Sequence, residues 1–246
     1  MRTLLCVALA GLTACGGAAV TVMPMPLGEI VAVAPAARRT TAVRALLLPP
    51  NESLIWDVRA AGMTIGRAEM DVGDTDVHSK FSTSSLASMF ATIHHELVTT
   101  VDRAEARPAT ASETVVESGE TTRSVVAFDG NGYSIGQDDR VVVPDGNAAH
   151  TIHSALGWLR AWADPKAEPS ALYVLEDRRL FRFNLDRPVA EQLREVETLR
   201  IDGHIHVDET SEPIGITVWL TADAERKPLR IAITAGKLHI VAELVS

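Results

Sequence analysis

The chain has 246 residues, of which 46% are hydrophobic, 22% charged and 4% aromatic, a balance that excludes a disordered polymer and suffices for a sizeable core. Lys and Arg total 23 against 32 Asp and Glu, a formal charge of −9, which excludes the clustered cationic surface that nucleic acid or anionic lipid headgroups require. Both cysteines, Cys6 and Cys15, stand at the N-terminus, so the body of the chain has no disulfide, thiol nucleophile or Cys-based zinc site.

Residues 1–14 carry one positive side chain, Arg2, followed by an apolar run too short to span a bilayer, the pattern of an export signal. Its end, Leu12-Thr13-Ala14-Cys15 with Gly16 and Gly17 behind it, resembles the bacterial lipobox, in which the cysteine thiol receives a lipid and the signal is cut just before it. The alternative is an ordinary signal peptide cut nearby. In the lipobox reading Cys15 becomes the first mature residue and joins the protein to a membrane. In Gram-negative lipoproteins an Asp behind the cysteine commonly marks inner-membrane retention, so Gly16 and Gly17 point to the outer membrane, facing the periplasm.

Residues 15–50, with Pro24, Pro26, Pro35, Pro49 and Pro50, sustain no period of 2 or 3.6 and read as an Ala/Pro-rich tether. A flexible chain of that length spans about 30–35 Å. The alternative is that residues 29–33 pair onto the sheet as an edge strand. From Asn51 onward the chain holds 31 acidic and 19 basic residues, a formal −12, and such a domain faces water.

Residues 51–246 read as one β-rich domain, because the apolar pattern has a period of two almost throughout. Leu54, Trp56, Val58 and Ala60 alternate with Asp57 and Arg59; after a break at Gly62 and Gly66, Ala68, Met70 and Val72 alternate with Arg67, Glu69 and Asp71, which predicts a hairpin. The alternation returns over 95–101, 110–116 and 122–128, and Asp129-Gly130-Asn131-Gly132 is a strong turn signal. Residues 172–175 and 180–185 flank Asp177-Arg178 as a second hairpin, and 201–207, 214–220, 229–233 and 238–244 form a closing meander. Helical period occurs only over 85–91 and over 148–163, the main helix, with Ile152, Ala155, Leu156, Leu159 and Ala163 on one stripe widened by Trp158 and Trp162. The expected fold is mainly β: a single antiparallel curled sheet or incomplete β-barrel, with the helix packed on or in it to bury the apolar face.

Gly62-Met63-Thr64-Ile65-Gly66 imitates a nucleophile elbow with Thr for Ser, but it joins two strands where an elbow requires a strand-to-helix turn. Gly130–Gly136 fails the dinucleotide spacing and no helix follows it. Histidine is the remaining candidate for metal or base chemistry. His204 and His206 share a strand face with Asp202 and Asp208, a spacing that metal sites on sheets use; the plain reading is a solvated outer face. His150 and His153 lie with Gly157 and Arg160 opposite the apolar stripe and read as the wet side of the helix. His94 and His95 point to opposite faces, one of them a satisfied histidine at the core's edge. Trp56, Trp158, Trp162 and Trp219 read as core and rim residues.

Leu54-Ile55-Trp56-Asp57-Val58, then Gly62, Ile65-Gly66 and Ala68-Glu69, resembles the opening of the bacterial family called domain of unknown function 3108. Phe90 through Val101-Asp102, Pro108 and Val126-Ala127-Phe128-Asp129 follow its middle; His153-Ser154-Ala155-Leu156 through Leu159-Arg160 is similar to its helix; Trp219-Leu220, Asp223 and Arg226-Lys227-Pro228-Leu229-Arg230 resemble its end. The resemblance implies a secreted or envelope protein and brings no activity or catalytic residue. Trp56 stands where Tyr is common, and the lipidated tether is long.

The combined expectation is a lipid-anchored envelope protein with a non-catalytic binding or scaffolding domain in the periplasm and no cofactor. Its partners are the membrane through Cys15 and an envelope protein or a hydrophobic ligand, with no nucleic acid. Two alternatives are a carrier of a lipid-like ligand and a metal-dependent hydrolase using His204 and His206; no catalytic residue is singled out.

Overall fold

The computed structural model describes residues 40–85, 87–89, 92–205 and 213–245. The export signal, Cys15, the alternative edge strand at 29–33, His206 and Asp208 lie outside the described residues.

The alternation read in the sequence becomes sixteen strands in one sheet. In chain order they are β1 (Ser53–Ala60), β2 (Met63–Val72), β3 (Asp76–Thr83), β4 (Ile93–Asp102), β5 (Arg107–Glu117), β6 (Glu120–Asp129), β7 (Gly132–Ile135), β8 (Val141–Val142), β9 (Ala149–His150), β10 (Ser170–Glu176), β11 (Arg179–Leu185), β12 (Val189–Leu193), β13 (Val196–Ile205), β14 (Ile214–Thr221), β15 (Pro228–Ala235) and β16 (Leu238–Leu244). Among the described residues one α-helix, α1 (Ile152–Trp162), lies between β9 and β10. The spatial order is β8-β7-β6-β5-β4-β3-β2-β1-β16-β15-β14-β13-β11-β10-β9, with β12 paired beside β11 on β13. Every pair is antiparallel except β9 with β10; the sheet has two meandering arms, β1 to β8 and β10 to β16, the second interrupted at β12, joined where β1 meets β16.

Hairpin chemistry follows the residues. Asp177 and Arg178 both have positive φ, 47° and 62°, as do Ala61 and Gly62, 49° and 80°, the two-residue turns whose twist matches that of the strands. Gly66 belongs to β2 and breaks nothing: it is buried beneath Phe81, whose ring atoms would stand 2.6 Å from a Cβ there. Register shifts at Val58/Arg59, Thr100/Val101 and Trp219/Leu220 bend the sheet, as bulges do. The curl stays unclosed, since β8 pairs only with β7 and β9 only with β10. Side chains fill the gap: Leu97, Ala111, Val126 and Tyr133 of one arm cluster with Tyr173 and Leu175 of the other.

Three expectations about the bounds of segments need correction. The helix begins at Ile152, not 148, because Ala149 and His150 bridge to Tyr173 and Val174 and Thr151 and Ser154 form a reciprocal capping box. Residues 85–91 hold only a short 3-10 turn, Ala87–Met89, among those described. The tether does not run free to Pro50: Leu46 and Leu48 are buried, the Leu47 N–H donates to the Gly157 carbonyl, and the Thr41 N–H donates to Ser170. A strap of chain thereby covers one side of α1 while the concave sheet covers the other.

That double cover overturns the wet-side reading of His150, His153 and Arg160, which are all buried. Arg160 makes a bidentate pair with Glu52 at 2.6 and 3.0 Å and donates to the Glu225 carbonyl. It thus ties the helix to the entry of β1 and to the β14–β15 turn.

Candidate functional site: an apolar cavity with one polar wall

Between α1 and the concave face lies a cavity of about 300 Å³. Its floor and far wall come from inward-facing positions of β13 to β16, Ile201, Ile216, Val218, Ile231 and Ile240 among them, and Trp56 and Met70 continue the apolar surface across β1 and β2. Leu156 and Leu159 descend from the helix. The period of two places these side chains inside and their charged neighbours outside.

The remaining wall is different. Ser79 on β3, His95 on β4, His153 on α1 and Glu176 on β10 also line the cavity. His153 is held from both sides, its Nδ1 2.9 Å from Thr99 Oγ1 and its Nε2 2.8 Å from Ser79 Oγ. Thr99 spends its hydroxyl hydrogen on Thr151, so His153 Nδ1–H is the donor to Thr99. Burial, with the positive charge of His95 and His78 added, pushes the His153 imidazole down to about 3, so the ring is neutral and its Nε2 accepts from the Ser79 hydroxyl. Burial alone pushes His150 down to about 4.

His95 Nε2 lies 2.8 Å from Glu113 Oε1. Burial works to raise Glu113, but the hydrogen bond and charge of His95, with the Ser124 hydroxyl, hold it below the usual carboxylate value. Glu113 is therefore the ionised acceptor and His95 Nε2–H the donor. Burial, and then the charge of Glu113, push Glu176 up.

The candidates read from sequence fare unequally. His95 is the satisfied histidine at the core's edge, while His94 faces outward to Ser82. His204 is half-buried on β13, and Asp202 beside it accepts from Arg200 and Thr217 at 2.9 Å, so that carboxylate is engaged in a surface network. Among the described residues no group of three or more His, Cys, Asp or Glu is placed to hold a metal. Trp56, Trp158 and Trp162 are buried, the last two stacked with centroids 5.5 Å apart. Trp219 sits at the rim, donating to Glu191 beneath Arg230. Sequence reasoning missed Ser79, Glu113 and Glu176, since nothing local distinguishes one serine or two glutamates from their neighbours.

No family model and no curated protein matches the chain. Among solved structures, the β-barrel-like protein of domain of unknown function 1849 from Brucella abortus is similar at 12% identity over 79% of this chain and 95% of its own, with a TM-score of 0.56. The lipoprotein LppX of Mycobacterium tuberculosis matches at 14% identity over 78% of this chain and 84% of its own, with a TM-score of 0.27. A protein of the family called domain of unknown function 1089 from Pseudomonas aeruginosa matches at 10% over 82% and 95%, with a TM-score of 0.42. The chain thus shares the β-barrel-like fold of the Brucella protein.

Proposed function

We propose that the protein binds a hydrophobic, lipid-like molecule in this cavity and does so at the bacterial envelope, anchored through a lipid on Cys15 at the outer membrane and facing the periplasm. The carrying observation is the cavity itself: about 300 Å³ of space lined almost wholly by aliphatic and aromatic side chains, at the lower end of the range for ligand pockets. A core this rich in Ile, Val and Leu would otherwise close to crystal-like density, and empty apolar space carries a cost in stability. This reverses the order of the two binding roles read from sequence, placing ligand carriage above protein scaffolding. Membership of the family called domain of unknown function 3108 is part of the same proposal, as are removal of residues 1–14 and the lipobox cleavage that frees Cys15.

The test is native mass spectrometry of the full chain purified from envelopes, beside an Ala155→Phe variant that fills the cavity from the helix. Wild type is expected to carry a co-purifying lipid at one per chain and the variant to carry none while melting no lower. Wild type free of lipid, or a variant that retains it, overturns the reading. Anchoring is tested separately: labelled palmitate should enter wild type and not Cys15→Ala, and the latter should leave the membrane fraction.

A further inference from the structure

The two ends of the curled sheet are built differently. At the end where the strap enters, three arginines bind turns to strap and helix. Arg103 donates to the carbonyls of Leu48, Gly73 and Asp74, Arg160 to Glu52 and the Glu225 carbonyl, and Arg226 to the Ala163 carbonyl. The inward side chains at that end, Leu54, Val77, Leu199 and Leu220, are at most 2% exposed. At the opposite end stand the turns at 61–62, 118–119, 177–178 and 236–237, and there Phe81 and Ile233 line the cavity only half-buried. Ala60, Ile65 and Leu238 carry the apolar surface past them, and Met63 is 57% exposed. The burial gradient along the strands marks this second end as the mouth.

We infer that the cavity is loaded chain-first through this mouth by a single-chain amphiphile, whose alkyl end reaches Trp56 and Leu159 and whose head stays in water at the rim. The inference rests on the cavity being a ligand site. The polar wall supports it, because its groups are engaged with the protein: Ser79 with His153, His153 with Thr99 and His95 with Glu113, while Glu176 has a partner of its own. A head drawn inside would give up its water for partners already taken. Size agrees with this orientation. At roughly 30 Å³ for each water-sized group, the cavity holds on the order of ten such groups, so a twelve-carbon chain fills it with the head at the rim, and a two-chain lipid does not fit wholly inside. Selection then acts on the chain and is nearly blind to the head.

Trp56 reports depth, since it lines the cavity and its Nε1 donates to the Pro228 carbonyl beside the arginine-bound turn. The full chain carrying Cys15→Ala is titrated with 12-bromododecanoate, 2-bromododecanoate and 12-bromododecan-1-ol, bromine quenching the indole on contact, beside a Trp56→Phe control. Both terminal bromides are expected to quench Trp56 at one per chain, with affinities within about fivefold of each other, and 2-bromododecanoate to bind as well while quenching less than about half as much. Stopped-flow mixing locates the route: Ala60→Phe at the rim should slow association and release about fivefold or more, and Leu48→Ala, which loosens the strap, should leave both within about twofold. The 2-bromo probe quenching as strongly as the terminal one, or exchange governed by Leu48 and not by Ala60, would overturn the inference and leave the cavity reading standing. Failure of every probe to bind would overturn both. If Ala60→Phe does not fold, the quenching order on the parent chain decides alone.

Discussion

His153 is the residue on which acid sensitivity turns. Folded, its imidazole titrates at about 3, and that of His150 at about 4; unfolded, both return to roughly 6.5. The unfolded chain therefore binds more protons than the folded one between those values, and stability rises with pH across that window. The contribution is complete above about 6.5 and is lost on acidification, at about 1.4 kcal/mol per pH unit per histidine once below the unfolded value. Glu176 opposes this, because a carboxyl raised by burial destabilises the fold as pH rises through that same region. A difference measurement isolates the histidine. Comparing urea unfolding at about pH 7 and about pH 5, His153→Asn is expected to lose some 2 kcal/mol less than wild type on acidification, and an unchanged difference would mean that His153 is charged in the fold. None of this was legible in the sequence, where His153 sits on the polar side of its helical wheel. The partners that bury it, Ser79 and Thr99, stand 74 and 54 positions away.

At the scale of elements, most strands were readable from period two, and the exceptions have causes. Strand β3 escaped because its inward positions are Val77, Ser79 and Phe81: a serine committed to the helix interrupts the apolar series. Strand β12 is short and pairs only with β13, and its Ala190 and Gln192 face solvent, so no buried stripe marks it. The strap was unreadable because the run Leu46-Leu47-Leu48 in a proline-rich stretch shows no period, and its docking place is a glycine. A Cβ at Gly157 would stand 2.7 Å from Leu48 Cγ. Gly157→Ala is therefore expected to destabilise, although the same change inside an exposed helix gains about 1 kcal/mol. Leu48→Ala should cost 2–5 kcal/mol as a buried leucine truncation, roughly. Both are read by chemical denaturation; a stabilised Gly157→Ala protein would show that the strap is not seated in solution.

At the scale of the whole molecule, the buried pair of Arg160 and Glu52 joins the strap's end, the helix and the far hairpin. Arg160 has no exposed side-chain surface and Glu52 very little, so removing one partner strands the other charge. Glu52→Ala is expected to lower stability by about 3–5 kcal/mol, whereas removing both groups, as Glu52→Leu/Arg160→Met, should recover much of that loss. Equal losses in single and double variants, measured by thermal unfolding, would deny the pair its role.

The junction of β1 and β16 bears on how the cavity comes to exist. Arg59 and Glu243 meet across it although 184 positions separate them, so the seam between the two arms closes a very long loop, an entropically late step in folding. The cavity has walls from both arms and no existence before the seam zips. A ligand that binds only the zipped form favours it by mass action, so on the proposed reading an occupant of the cavity takes part in maturation: chains without it would linger with their arms apart and their aliphatic faces open to proteases.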